Sequence, residues 1–189
     1  MPDTPIDPSA DWEALHALIE AGDAAAVIAC VRALPPGEVA YTISHLPEDE
    51  QVRLLEIVPP DLSADLMAHL DDTYAADIIE DLKAEQAAAI VDVMDSDEQA
   101  DILSEMEDAD AQAILREMSP DEASDVRERL EYASDTAGGI MITEYLVYTA
   151  ESRIHAVLDD LREHQEKFAN YVVQFVYVVN AHGQLRGVV

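Results

Sequence analysis

The feature that most constrains the fold is a twelve-residue repeat that runs from Pro59 to Leu130 without an insertion. The eighth position of each unit is aliphatic and the twelfth is Leu or Met. The ninth is apolar in five units and becomes Arg127 in the sixth. The units, in order, are PPDLSADLMAHL, DDTYAADIIEDL, KAEQAAAIVDVM, DSDEQADILSEM, EDADAQAILREM and SPDEASDVRERL. Such a period indicates one small structural element copied along the chain.

Positions eight, nine and twelve of a unit fall on one face of an α-helix. The whole stretch cannot be one helix, because twelve residues at about 100° each turn every new apolar stripe by about 120° from the last. The helix must therefore break in every unit. Plausible N-caps at the breaks are Asp61, Asp71, Asp95 and Ser119. The repeat predicts a train of helices, each about nine residues long.

Helices this short must stack on neighbours, as in helical solenoids. Alternate helices should run in opposite directions, so that two units form a pair. Upstream, residues 11–34 and 39–58 predict further helices, with breaks at PPGE and LPEDEQ. The expected fold is mainly α, an armadillo-like or solenoid-like superhelix over roughly residues 10–131.

The pattern changes after residue 131, near the adjacent Gly138 and Gly139. β-Branched and aromatic residues then favour strands, and NAHG favours a turn. The predicted elements are a strand over residues 145–148, a helix over 151–168, a buried strand over 172–179 and a further strand from 185. We predict two domains, residues 1–131 and 132–189.

The charge is strongly acidic, with 41 Asp and Glu against 10 Lys and Arg and a formal net charge of −31. Such a surface repels nucleic acids and anionic membranes, and it attracts cations. A merely solubilising acidic surface is the alternative. Because 49% of the residues are hydrophobic, a packed core is expected.

Several protein classes are excluded by the sequence. The single cysteine, Cys30, rules out a disulfide framework and a cysteine-rich zinc site, and it fits a reducing cytoplasm. The N-terminus does not resemble a signal peptide, and no run of 18 apolar residues predicts a membrane span. No Ser-His-Asp or Cys-His set can be nominated, so we expect no enzymatic activity.

Other metal motifs fail on their spacing. Residues 95–106 begin like a calcium-binding EF-hand loop, but Ala100 replaces the required Gly and Met106 the required Glu. No two histidines have the HExxH spacing of zinc enzymes, so surface or packing roles are expected for all of them.

The β-α-β-β order after residue 131 resembles the first part of a cystathionine-β-synthase-type (CBS) module. In nucleotide-binding CBS modules a Ser/Thr-x-x-Asp segment follows, whereas this sequence ends at RGVV. We therefore expect a fragment of a longer protein whose CBS module is incomplete and seeks a partner. Nucleotide sensing is a weak alternative.

The whole chain resembles the MgtE family of magnesium channels and transporters. The family's junction pattern is close to D-x-A-G-x-L/I-M-T-x-E-Y/F, and here Ile142 precedes Thr143. The matching residues are Asp135, Ala137, Gly138, Ile140, Met141, Glu144 and Tyr145. The short-helix domain before the junction and the segment YVV-N-HGQLRGVV after it also match. The resemblance implies the cytosolic magnesium-sensing region of a homodimer in the cell membrane.

The resemblance also implies a mechanism and ligands. Mg²⁺ would bridge acidic faces and close the pore, and other divalent cations are alternatives. Asp77 keeps an acidic position of the family, whereas Thr73 and Tyr41 replace acids at two others, so that Asp72 is a substitute ligand. Asp71 is a third candidate. N-capping competes with metal binding at Asp71 and Asp72, and a solvated helix face is the alternative for Asp77.

Two hypotheses remain at this point. In the first, the chain is a magnesium sensor whose partners are its own missing CBS and transmembrane domains and a second copy of itself, on the cytoplasmic face of the membrane. In the second, it is a soluble helical-repeat and CBS scaffold that binds a protein partner. The downstream sequence would separate the two.

Overall fold

The computed structural model describes residues 9–133, 135–142, 144–165, 168, 171 and 174–189. The chain divides into two compact units, Met1–Gly139 and Ile140–Val189. The first unit is helical and the second combines strands with a helix, as the sequence predicts.

The first unit is a succession of short helices. They are α1 (Ser9–Ala21), α2 (Ala24–Ala33), a 3₁₀ turn (Pro36–Glu38), α3 (Val39–Ser44), α4 (Glu48–Ile57), α5 (Pro60–Met67), α6 (Asp72–Glu80), α7 (Ala84–Val91), α8 (Ser96–Glu105), α9 (Asp108–Glu117) and α10 (Pro120–Arg129). The helices of the repeat are 8 to 10 residues long, and each repeat unit contains one. The predicted break in every unit is confirmed.

The predicted N-caps fare differently. Ser119 caps α10, since its Oγ accepts a hydrogen bond from the Glu122 amide at 3.3 Å. Asp71 and Asp95 occupy N-cap positions, but neither side chain accepts a capping hydrogen bond. Asp61 was a wrong assignment, because α5 begins one residue earlier, at Pro60. Proline is favoured at the first helical position, where its missing N–H has no helical acceptor to lose.

A glycine turn divides the upstream helical segment. Gly22, with φ 68°, ends α1, and its amide donates to the Ile19 carbonyl at 3.0 Å. The Asp23 amide donates to the Leu18 carbonyl at 3.3 Å, which completes a Schellman motif. Asp23 then caps α2 by accepting from the Ala26 amide at 3.1 Å.

The helices stack in two rows. Helices α4, α6 and α8 are neighbours in one row, and α5, α7 and α9 are neighbours in the other. Position eight of every unit is buried, and so is position nine up to Leu115, whereas Arg127 is exposed. The Met94, Met106 and Met118 side chains are buried in the same core. The predicted superhelix of paired helices is confirmed.

One buried position departs from the repeat. The fifth residue is alanine in four units but Ser63 in the first, where the side chain is fully buried and its Oγ has no hydrogen-bond partner among the described residues. We expect Ser63→Ala to stabilise the protein by about 1 kcal/mol, because an unpartnered buried hydroxyl is removed. Thermal unfolding should show a midpoint about 2–4 °C higher. A lower midpoint would contradict the assignment.

The second unit contains β1 (Leu146–Thr149), α11 (Ile154–Glu163), β2 (Val176–Val179) and β3 (Leu185–Val188). The sheet order is β1-β2-β3, with β1 parallel and β3 antiparallel to β2. The predicted β-α-β-β order is confirmed, and Gly183, with φ 74°, lies in the predicted turn.

Three predicted details of this unit were wrong. The helix runs from Ile154 to Glu163 rather than over residues 151–168. Strand β2 begins at Val176, and residues 172 and 173 of the predicted strand lie outside the described residues. The strand is half-buried rather than buried, and the apolar face of α11 is open, with Ile154 80% exposed. Among the described residues, no helix is both long and apolar enough to cross a bilayer.

Candidate cation-binding surfaces

Helix α6 carries all but one of the predicted ligand positions, and it packs between α4 and α8. Its two long edges therefore meet different partners. Asp77 is on the edge that faces α4. Asp72 is on the other edge, and its charge raises the pKa of Asp101 on α8. Each edge forms an acidic surface of its own.

The first surface is an open groove of about 330 Å³ between α4 and α6, which we call the α4/α6 groove. Its lining residues are Glu48, Gln51, Val52, Tyr74, Asp77, Ile78, Glu80 and Asp81. Four of them are carboxylates, and none is Lys, Arg or His. A groove of this size accommodates a cation that keeps several of its waters, which is how Mg²⁺ usually binds.

Contacts at the edges of this groove fix two of its side chains. Gln51 Nε2 donates to the Leu46 carbonyl at 2.9 Å, which orients this buried amide. Glu80 Oε1 accepts from the Glu107 amide at 2.6 Å, at the N-terminus of α9. Asp77, by contrast, is exposed.

The pKa of the Tyr74 hydroxyl depends on the charge of the groove. Burial raises the pKa of its hydroxyl, a hydrogen bond with Gln51 opposes this shift, and the charges of Glu48 and Asp77 raise the pKa further. Carboxylates from α4 and α6 thus act on the same point of the groove. A bound divalent cation would lower this negative potential.

The second surface is the α6/α8 cluster, which comprises Asp71, Asp72, Asp97, Glu98, Asp101 and Glu105. Burial raises the pKa of Asp72, and so do the charges of Asp71 and Glu105. Burial and the charges of Asp72, Asp97 and Glu105 raise the pKa of Asp101 in the same way. Thr73 Oγ1 donates to Glu105 Oε2 at 2.9 Å across the two helices. The cluster is therefore held together while its negative charges repel one another.

The structure places the three predicted ligands at two surfaces rather than one. Asp77 lines the α4/α6 groove, whereas Asp72 belongs to the α6/α8 cluster. Asp71 stands at the N-cap position of α6 and adds its charge to Asp72. In the described structure the Asp71 side chain accepts no capping hydrogen bond.

Sequence reasoning missed the carboxylates that complete each surface. In the groove these are Glu48, Glu80 and Asp81, and in the cluster they are Asp97, Glu98, Asp101 and Glu105. One signal was available, because Asp101 has the same repeat position as Asp77, two units later. Units two apart are neighbours in the stack, so equivalent acids recur along one row.

A third acidic contact joins α7 to α10. Burial raises the pKa of Asp92 to about 6, helped by a hydrogen bond with Glu122 and by the charge of that residue. Two carboxyls this close hold a proton between them more readily than either alone.

The chain has known relatives. Residues 34–135, more than half of the chain, match the family described as MgtE intracellular N domain. A crystal structure of the soluble part of a magnesium transporter is similar over 97% of this chain and 72% of its own, with 22% identity and a TM-score of 0.77. The cytosolic domain of the Mg²⁺ channel MgtE in complex with ATP is similar over 94% of this chain and 72% of its own, with 24% identity and a TM-score of 0.80. No curated protein sequence matches. The two structures show a shared fold, and the family match shows that the chain belongs to the MgtE family through its intracellular N domain.

Proposed function

We propose that this chain is the magnesium-sensing regulatory region of a divalent-cation channel or transporter. The observation that carries the proposal is the α4/α6 groove, where four carboxylates line one space without a cationic side chain among the lining residues. Family membership and the magnesium transporters among the similar structures support the same reading.

The physical basis is repulsion that a cation relieves. A net charge of −31 on 189 residues destabilises any compact state through self-repulsion. Mg²⁺ needs only one or two carboxylates at each site, because it retains several waters. Each independent site stabilises the compact state by about 1.4 kcal/mol when the free Mg²⁺ concentration is about ten times the Kd of that site.

Several such sites would make closure depend steeply on Mg²⁺. Two sites with that occupancy together favour the compact state by about 3 kcal/mol, which is a hundredfold shift in a two-state equilibrium. We propose that ions bound between acidic faces close the regulatory region and the pore, and that their loss lets the faces separate. The second unit then acts as the start of a CBS module that connects this domain to the pore within a homodimer.

The test is thermal unfolding of the chain with increasing MgCl₂ at constant ionic strength, with NaCl as the matched salt. Screening treats the matched salts nearly alike, so a Mg²⁺-specific rise reports site binding. For each site, we expect the unfolding midpoint to rise by about 3–6 °C as the free Mg²⁺ concentration approaches ten times the Kd of that site.

The variant Asp77→Asn keeps the shape of the side chain and removes one groove charge. We expect it to reduce the Mg²⁺-specific rise while it leaves the shift produced by NaCl unchanged. The matched control is Asp65→Asn, an exposed aspartate on α5 outside both acidic surfaces. The proposal fails if MgCl₂ and NaCl give the same curve, or if the two variants respond equally.

A further inference from the structure

A cluster of metal-ligating side chains lies outside both acidic surfaces, where α1 packs on α4. It consists of His16 and Glu20 on α1 and Glu50 on α4. One ligand atom from each of the three residues lies within 4.8 Å of the others. From this arrangement we infer that His16, Glu20 and Glu50 form a binding site for a transition-metal ion of the Zn²⁺, Co²⁺ and Ni²⁺ class.

The three side chains lie close enough together for one ion, and in the present structure His16 and Glu50 form a hydrogen-bonded pair. His16 Nδ1 lies 2.6 Å from Glu50 Oε2, and His16 Nε2 lies 3.8 Å from Glu20 Oε2. Zn²⁺ binds nitrogen and oxygen at about 2.0–2.2 Å, so neighbouring ligand atoms are about 3.3 Å apart in a tetrahedral site. One ion would bind a single ring nitrogen of His16, so the 2.6 Å hydrogen bond to Glu50 must open and Glu20, whose side chain is 64% exposed, must turn toward that nitrogen.

The burial of Glu50 explains why this position favours a cation. Its side chain is only 7% exposed, yet it lies in the first turn of α4, where the helix dipole stabilises a negative charge. A buried carboxylate needs a positive partner, which the imidazole supplies when it is protonated and a metal ion supplies when it is not. His16 is 34% exposed and Glu20 is on the surface, so an ion can enter from solvent.

The ligand set selects the class of metal. An imidazole nitrogen with two carboxylates and open positions for water suits Zn²⁺, Co²⁺ or Ni²⁺, whereas Mg²⁺ prefers an all-oxygen shell. The site is therefore distinct in chemistry from the carboxylate surfaces of α6. It does not depend on the proposed magnesium function.

Trp12 provides a direct readout. It is the only tryptophan of the chain, and its ring centre lies 6.3 Å from that of His16. Ni²⁺ and Co²⁺ have partly filled d shells and quench indole fluorescence at short range, whereas Zn²⁺ has a filled shell and does not. We expect Ni²⁺ to quench Trp12 in a saturable way in excess Mg²⁺, and Zn²⁺ to reverse the quenching by competition.

Variants locate the ion. Glu20→Gln should weaken Ni²⁺ binding about tenfold or more, which is the order of effect of changes around a metal. Glu13→Gln, an exposed glutamate on the same helix, makes the same charge change and should bind like the parent chain. His45→Gln is a second control, because the His45 ring lies 5.9 Å from Trp12 and is the nearest competing imidazole described.

Absence of saturable quenching, equal affinities for Glu20→Gln and Glu13→Gln, or loss of quenching only in His45→Gln would each show that no ion binds at His16. The d–d absorption of Co²⁺ gives a second measurement that does not use Trp12. Intense bands near those of tetrahedral Co²⁺, weakened by Glu20→Gln, are the expected spectrum.

Discussion

Leu115→Ala is expected to destabilise the protein by about 3 kcal/mol, within the range of 2–5 kcal/mol for deleting a buried leucine side chain. Leu115 is only 1% exposed and belongs to the continuous core between the two rows of helices. A short helix cannot compensate for a cavity, since its stability comes from packing against its neighbours. Thermal or urea unfolding should show the loss, with a midpoint about 10 °C lower.

The repeat supplies a matched control for this prediction. Arg127 occupies the same ninth position one unit later, but its side chain is exposed on α10. Arg127→Ala should change the free energy of unfolding by less than about 0.5 kcal/mol, as surface substitutions usually do. Equal effects of the two variants would mean that the ninth position does not define the core.

Mild acidification is expected to stabilise the protein. Burial and neighbouring charges raise the pKa of Asp72, Glu98 and Asp101, and they raise that of Asp92 to about 6. The folded chain therefore binds more protons than the unfolded chain as the pH falls through 6, and the stability gained is complete below the ordinary aspartate value of 3.8. Lowering the pH from about 7.5 to 5.5 should raise the unfolding midpoint by several degrees.

Asp92→Asn isolates the largest contribution to this pH dependence. The amide keeps the hydrogen bond to Glu122 but carries no charge, so the variant should be more stable at neutral pH. Because Asp92 is only partly buried and much of it remains in contact with solvent, screening reduces the gain to about 1 kcal/mol. The variant should also show a flatter pH dependence between about pH 5 and 7. Unfolding curves of Asp92→Asn and Asp65→Asn at several pH values provide the comparison, and parallel curves would contradict the assigned cause.

Most of the helical unit could be predicted because its information is local. The phase of the repeat identified the buried residues Ile78, Ile90 and Ile102, and the rotation between units required a break in every one. Helix α5 begins at Pro60 because proline has the backbone angle of the first helical position. The prediction considered only polar residues as caps and therefore missed this start. The glycine turn at Gly22 fell within a segment whose apolar spacing was less regular.

The second unit was harder to predict because its pattern is short. A few β-branched residues indicated each strand, but strand limits depend on hydrogen bonds to partners elsewhere in the chain. Val176, for example, pairs with Leu146 in the parallel ladder. Local propensity specified the order of these elements but not their ends or their degree of burial.

The sequence by itself determined the length of the helices, the positions that form their core, the negative charge and the family. Tertiary structure alone decided which charges meet. Asp72 approaches Asp101 and Glu105 because units two apart are neighbours in the stack, and His16 meets Glu50 from 34 residues away. A repeat offers similar acids at similar positions in every unit. Only the stacking of the helices selects which of them share a surface and therefore repel one another.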